Sequence, residues 1–524
     1  MMSLLHWQCR LFVSALILMA SVSARADELP GFPVLLGRGN AVKGFTVADL
    51  DGDGKPALVV VAGETVQILG VDGKPRPGYP LSLRDAGSTV PAVFPAAPAI
   101  CDLNGDGKGE VVLAGSTAKL YALTGAGAFV SGFPVPLESP VRAAVSCAPV
   151  KGSKREDVVF TTDAGALVVV AGTGGAPRMV AKVGRGAEGG VAVADLNGDG
   201  AVEYVAGGGD SRLYAFTQAG EPLKGFPYKM SFRTNGTPAI GDVDDDGRPD
   251  IIFGSQDFKI HALGNDGKPL AGFPVDTSYR IYAGVALSDL NGDGVLDLVV
   301  GSGDKSLYAL DGHGQKLKGF PLATVGRLDF DAAIADLDRD ANPEILVVAD
   351  EGTLYQITAT GKKSSLEVGD RAVGAPAAVD LDQDGIPEII VATAKPALHV
   401  LKGEANGKAE VALADWPMAG HDAKHSGRHA PNPGRFKELG FAKLEPLTTD
   451  SLVAAYRFFD LDGEPEQQSQ IRWYRNNAHE PRFDNKAEIP PSETTKHERW
   501  HYTLQEGANF KAYGDKGVLS RVYR

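Results

Sequence analysis

The stretch "DVDDDGRPDIIFGS", residues 242–255, sets Asp242, Asp244, Asp246 and Asp250 around a glycine at 247 and follows them with an apolar run. Carboxylates crowded at alternate positions repel one another unless a counter-charge sits among them. Read outward, the pattern recurs as "DLDGDGKPALVVVAG" from 49, "DLNGDGKGEVVLAGS" from 102, "DLNGDGAVEYVAGGG" from 195, "DLNGDGVLDLVVGSG" from 289, "DLDRDANPEILVVAD" from 336 and "DLDQDGIPEIIVATA" from 380. Start positions step by 53, by 93 across two repeats, then by 47, 47, 47 and 44. The slot between 102 and 195 holds "APVKGSKREDVVFTT", residues 148–162, which keeps the strand and loses the acidic pattern. That makes eight units, seven with an acidic loop.

The rest of each unit repeats too. A short alternating segment follows each loop: "TVQILG" at 65, "KLYALT" at 119, "ALVVVA" at 166, "RLYAFT" at 212, "KIHALG" at 259, "SLYALD" at 306, "TLYQIT" at 353 and "ALHVLK" at 397. Next comes "RPGYPL", "VSGFPV", "LKGFPY", "LAGFPV" or "LKGFPL", absent from the third and seventh units, whose proline suits an edge strand. Four strands per unit cannot bury both faces of one sheet, whereas eight such sheets stacked radially can. The fold class read here is all-β: an eight-bladed β-propeller, with a seven-bladed ring carrying one irregular unit as the alternative. A helical repeat of similar length is disfavoured by period-two alternation and by 65 glycines. Either "LPGFPV" at 29–34 or "ADWPMAG" at 414–420 is expected to complete the last blade and close the ring.

Numbered from its first Asp, each loop carries Asp or Asn at positions 1, 3 and 5 and usually an acid at position 9. The candidate ligands are Asp49, Asp51 and Asp53; Asp102, Asn104, Asp106 and Glu110; Asp195, Asn197, Asp199 and Glu203; Asp242, Asp244, Asp246 and Asp250; Asp289, Asn291, Asp293 and Asp297; Asp336, Asp338, Asp340 and Glu344; and Asp380, Asp382, Asp384 and Glu388. Oxygens at alternate positions of a tight turn suit calcium, and a glycine at position 6 in six of seven loops permits the turn. Position 7 holds Lys55, Lys108, Ala201, Arg248, Val295, Asn342 or Ile386, a variety that points to use of its carbonyl. The net charge of −14 becomes about −16 without Arg10 and Arg25, which about seven calcium ions would nearly cancel. Strands in place of helices, and no Glu at position 12, exclude an EF-hand. The first loop has Ala57 where the acid belongs, the loop from 336 has Ala341 for glycine, and the degenerate unit, with Pro149, Lys151 and Ser153, should bind nothing.

The array "DLNGDG…DLVVGS…LYAL…GFP" resembles the FG-GAP or VCBS repeats of integrin α-subunit headpieces and many exported bacterial proteins. The resemblance implies structural calcium that stiffens each blade, with ligands meeting loops on a propeller face.

At the start, Arg10, an apolar run from Leu11 to about Val22 and "ARA" at 24–26 read as a signal peptide over 1–26, so the mature chain begins near Asp27. Cys9 has no lipobox around it. The expected location is periplasmic or extracellular, without membrane insertion and, given the negative charge, without nucleic acid. Cys101 and Cys147 occupy equivalent points of neighbouring repeats; a disulfide and a pair of small buried residues are both open readings. The propeller is placed at 27–422, a linker at 423–435 and a further domain at 436–524. His421, His425 and His429 in "GHDAKHSGRHAPNPG" are four apart, but surrounding glycines and prolines break any helix that would align them on a metal; the segment is similar to a structural terminal motif of related propellers.

The C-terminal stretch, with "YRFFDLDGEPE", "IRWYRNN" and "RWHYTLQ", resembles small Ig-like β-sandwich domains of exported proteins, which would make Trp473 its core tryptophan; Asp460 and Asp462 read as a turn. No anchor or sorting signal is read after Arg524. No nucleophile elbow, HExxH or Walker loop is present. The leading reading is therefore a non-enzymatic binding, adhesion or scaffold module for a surface glycan or an envelope or extracellular protein. The alternative is a polysaccharide lyase, for which Arg142, Arg233, Tyr279, Arg280, Tyr282 and Arg327 are the candidate residues.

Overall fold

The computed structural model describes residues 28–36, 42–83, 93–184, 188–340, 342–395, 397–403, 417–422 and 424–427, together with 452–453, 470–475, 478–479, 482, 488–489 and 500–505. Eight four-stranded antiparallel sheets form a ring of blades. Blade 5 is typical: an inner strand Ala239–Gly241, the apolar strand Asp250–Ser255, then Lys259–Leu263, and a two-residue outer strand Val275–Asp276. In its register Ile240 faces Ile251, and Phe253 faces His261. The second strand is buried along its length in every blade but the third, where Asp157 is half-buried, because both of its faces meet neighbouring blades. The core accordingly lies between blades: Val112 and Leu120 of blade 2 pack with Val158, Phe160 and Val170 of blade 3.

Both opening questions about the ring have an answer. There are eight blades, and the N-terminal segment closes the last one: Val34–Leu35 pairs antiparallel with Ala397–Leu401, while Leu29 N–H donates to the Val400 carbonyl. The proline segments lie at the outer edge, as their missing N–H requires. Blades 3 and 7, which lack that segment, instead have five-residue outer strands, Arg178–Lys182 and Lys363–Glu367. Cys101 and Cys147 form a disulfide, Cα to Cα 5.5 Å, between the inner strands of blades 2 and 3.

The segment after the last blade does not simply leave the ring. The Pro417 carbonyl accepts from Ala378 N–H of blade 8, and those of Lys424, Ser426 and Gly427 accept from Cys147, Val193 and Ile240 of blades 3, 4 and 5. These donors lie on the inner strands, whose free edges face the ring axis, so residues 417–422 and 424–427 lie along the axial channel and satisfy edges that would otherwise be bare. Lys424, Ser426 and Gly427, within the stretch read as a linker, thus bond to inner strands of the ring.

In the C-terminal region, Gln470–Arg475 pairs with Trp500–Gln505, Trp473 opposite Tyr502, and with Ala478–His479, while Leu452–Val453 pairs with Glu488–Ile489. These are short antiparallel sheets; a separate Ig-like sandwich is not evident among the described residues. The leader, His429, Asp460 and Asp462 lie outside them.

Candidate metal centres and the opposite face

Every acidic loop joins the inner strand of its blade to the second strand, so all of them gather at one end of the ring. Within a loop the first Asp gathers backbone amides: in blade 2, Asp102 accepts from Gly105, Asp106 and Gly107, Asn104 accepts from Asp106 N–H, and Asp106 accepts from Lys108 N–H. Blades 4 and 6 repeat this almost bond for bond. Such bonds require a left-handed backbone at position 4 as well as position 6, as at Gly105 (φ 79°) and Gly107 (φ 82°). Sequence reading found the second and missed the first, because Asp245, Arg339 and Gln383 hold position 4 without being glycine.

The ninth-position acid folds back beneath the loop and accepts the N–H of position 2, as Glu110 does from Leu103, Glu203 from Leu196, Asp250 from Val243, Asp297 from Leu290, Glu344 from Leu337 and Glu388 from Leu381. Burial, reinforced by the loop's other carboxylates, pushes Glu110, Glu203, Asp297, Glu344 and Glu388 up to about 7 and Asp250 up to about 8. Carboxylate oxygens of Asp242, Asp244 and Asp246, of Asp336, Asp338 and Glu344, and of Asp380, Asp382 and Glu388 lie within 4.8 Å of one another. In the last of these, Asp380 Oδ1 is buried and meets no hydrogen-bond donor. A buried, donorless carboxylate oxygen beside two more carboxylates is a fit for a hard divalent cation.

Two loops depart from the pattern. In blade 1 the acid is replaced by Ala57, and the Arg76 guanidinium stands 2.7 Å from Asp51. In blade 3 Glu156 survives at the ninth position, which sequence reading overlooked, but Pro149 at position 2 has no N–H to give it. Glu156 instead accepts Asp102 N–H from blade 2 and the Lys424 ammonium at 2.6 Å from the axial segment. A side-chain cation thus stands where the other blades crowd carboxylates.

The loops also sit at blade joints. The carbonyl of position 2 meets the next blade each time: Gln218 Nε2 donates to Pro149 at 3.4 Å, and Asn265 Nδ2 to Leu196 at 3.0 Å. At the same place in blade 6, a Cβ on Gly312 would fall 1.6 Å from the Val243 carbonyl oxygen.

The six proposed lyase residues lie at the other end of the ring, where inner strands begin. Arg142 pairs with Asp163 at 2.9 Å, Arg233 with Glu188 at 3.3 Å and Arg327 with Asp329 at 2.7 Å, while Arg327 also lies over the Tyr282 ring. Tyr279, Arg280 and Tyr282 share the segment between Val275–Asp276 and Ala286–Ser288, whereas Arg142, Arg233 and Arg327 come from the segments that lead into three other blades. Among the histidines of the axial segment, buried His425 is held down by desolvation with Nδ1 3.2 Å from the Val145 carbonyl, and Asp422 is held well below the ordinary carboxylate range by His421 and Ser426 despite burial. No metal-type grouping among the described residues includes these histidines.

The fold and loops define an eight-bladed β-propeller built on repeats that each carry an acidic loop or its degenerate counterpart. Comparison with known proteins agrees: the family described as FG-GAP-like repeat matches at residues 195–253, 242–300 and 289–347, each match spanning the joint of two blades. No curated protein matches the chain in sequence. Among solved structures, the Vibrio cholerae biofilm matrix protein Bap1 is similar at 13% identity and TM-score 0.54, covering 76% of this chain and 96% of that one. Sqt1 of Saccharomyces cerevisiae is similar at 11% identity and TM-score 0.52, covering 72% and 99%. Identities this low establish the shared propeller fold alone. No helix among the described residues is long and apolar enough to cross a membrane.

Proposed function

We propose that the protein is an exported β-propeller, stiffened by structural calcium at about seven loops, that serves as a binding or scaffold module for a surface glycan or an envelope or extracellular protein, with an Ig-like C-terminal accessory domain. The observation that carries the metal half is the Asp380, Asp382 and Glu388 cluster with its donorless buried oxygen. Ions there would join acids that otherwise repel, and each loop touches the next blade, so the metal's mechanical effect is to lock joints of the ring. The six loops with a ninth-position acid should bind most tightly. Blade 1, where Arg76 already neutralises Asp51, should bind weakest.

The test is calcium titration of metal-free protein by calorimetry, with thermal melting in parallel. Six or seven bound ions and a raised melting temperature support the reading. A melting curve indifferent to calcium refutes it, because an ion bound by the native state alone must stabilise that state.

A further inference from the structure

The end of the ring opposite the acidic loops carries an aromatic surface that the calcium loops do not explain. Phe258 and Tyr279 are stacked, centroids 5.7 Å apart and planes at 12°, yet remain 41% and 43% exposed. Beside them Phe232 is 44% exposed with the Arg280 guanidinium 5.5 Å above its ring. Arg280 forms no ion pair among the described residues, whereas its repeat equivalents Arg233 and Arg327 do. Phe232 comes from the segment leading into blade 5, Phe258 from blade 5, and Tyr279 and Arg280 from the segment leading into blade 6.

The backbone singles out the same spot. Phe258 sits in the left-handed region, φ 69°, at a turn position held in blades 2, 4 and 6 by Ala118, Ser211 and Lys305. A bulky aromatic there is a strained choice that folding does not require, and strain retained at a surface clusters at ligand contacts. The neighbouring turns are fixed: Asp257 accepts Ser231 N–H and approaches His261, and Asp304 accepts Ser278 N–H and the Tyr308 hydroxyl. The rings are therefore presented on a rigid base, which lowers the ordering cost of binding.

We propose that Phe232, Phe258, Tyr279 and Arg280 form a binding platform for an acidic polysaccharide. Flat exposed rings match the apolar faces of pyranoses, and the guanidinium supplies bidentate recognition of a carboxylate or sulfate. The nearby acids Asp257, Asp304, Asp276 and Glu188 are each bonded to protein partners, leaving Arg280 as a cation available to the ligand. The proposal rests on reading the protein as a binding module and names the ligand class of that module.

The test measures binding of the full mature chain, in calcium, to dextran sulfate and polygalacturonate, with uncharged dextran and polyglutamate as comparators. Phe258→Gly is the decisive variant, since glycine relieves the left-handed backbone and keeps the fold. The expected result is binding to the two acidic polysaccharides only, weakened about tenfold or more in Phe258→Gly, whose melting temperature is unchanged or raised. Arg280→Gln should weaken binding and flatten its dependence on salt. Equal binding by both variants overturns the platform while leaving a binding module elsewhere on the ring. Equal binding to polyglutamate, or none to either acidic polysaccharide, overturns the ligand class; binding to uncharged dextran or to polyglutamate leaves the module reading standing with another ligand, and no binding to any of the four overturns both.

Discussion

Calcium and pH should act on this ring through the same six carboxylates. Glu110, Glu203, Asp297, Glu344 and Glu388 are raised to about 7 and Asp250 to about 8, mainly by burial. A carboxyl raised in the folded state binds its proton more tightly there than in the unfolded chain. Metal-free protein therefore loses stability as pH climbs from about 4, the unfolded value, to about 8. For the four glutamates the rise corresponds to roughly 3 kcal/mol each, and for Asp297 and Asp250 to about 4–6 kcal/mol, which solvent screening at the loop mouth reduces to about 1–2 kcal/mol per group. Six well-separated loops add to roughly 6–12 kcal/mol, the size of an entire folding free energy. A cation inverts the sign, because it requires the ionised form. The assay is thermal melting, at one scan rate, of protein stripped of metal on a chelating resin and of calcium-loaded protein, at about pH 5.5 and about pH 8. Metal-free protein should melt lower at the higher pH, and the gap to the calcium-loaded form should widen. A gap of equal width at both pH values, or a metal-free ring that gains stability with pH, would refute the reasoning.

Three further perturbations separate the parts of the ring. Glu388→Gln should lower calcium stoichiometry by one in a calorimetric titration, whereas Asp51→Asn, in the loop already neutralised by Arg76, should change the count and the melting temperature little; the reverse order would show that the ninth-position acid is not the deciding ligand. Cys101→Ser with Cys147→Ser removes a bridge spanning 46 residues and should cost roughly 2–4 kcal/mol in denaturant melts, an effect reproduced by reductant on the native chain. Lys424→Met leaves the Glu156 carboxylate without its cation and should cost about 1–3 kcal/mol, and an unchanged melt would mean that the axial segment is not held at blade 3.

The sequence carried the repeat, the four-strand unit and the acidic loop because each is periodic, and a period is visible without coordinates. "DLNGDGVLDLVV" announces turn, ligand spacing and buried strand together, and the structure follows it bond for bond. What was not legible depends on contacts between distant residues. Closure by Val34–Leu35 and not by the stretch at 414–420 follows from pairing across the whole chain, and both stretches carry suitable residues. The disulfide required knowing that the inner strands of blades 2 and 3 bring Cys101 and Cys147 within 5.5 Å. The proposed platform was half visible: Arg233, Arg280 and Arg327 recur at a spacing of 47, but only the structure shows which of them forms no ion pair among the described residues and which ring sits on a left-handed backbone.

Blade 3 keeps the buried ninth-position acid without the acidic loop around it. If calcium locks the other joints, this blade needs another source of positive charge for Glu156 and another lock to its neighbours. Lys424 supplies the first at 2.6 Å from Glu156. The second has two components at the same place: the disulfide joining blades 2 and 3, and the axial segment, whose Lys424 carbonyl takes Cys147 N–H while His425 packs against Val145. All of these are insensitive to calcium. Removing calcium should therefore loosen blades 4 to 8 before blades 2 and 3, an order that amide hydrogen exchange resolves blade by blade. Uniform loosening would mean that the loops do not act at individual joints, and earliest loosening of blade 3 would mean that the covalent and axial contacts do not replace the ion.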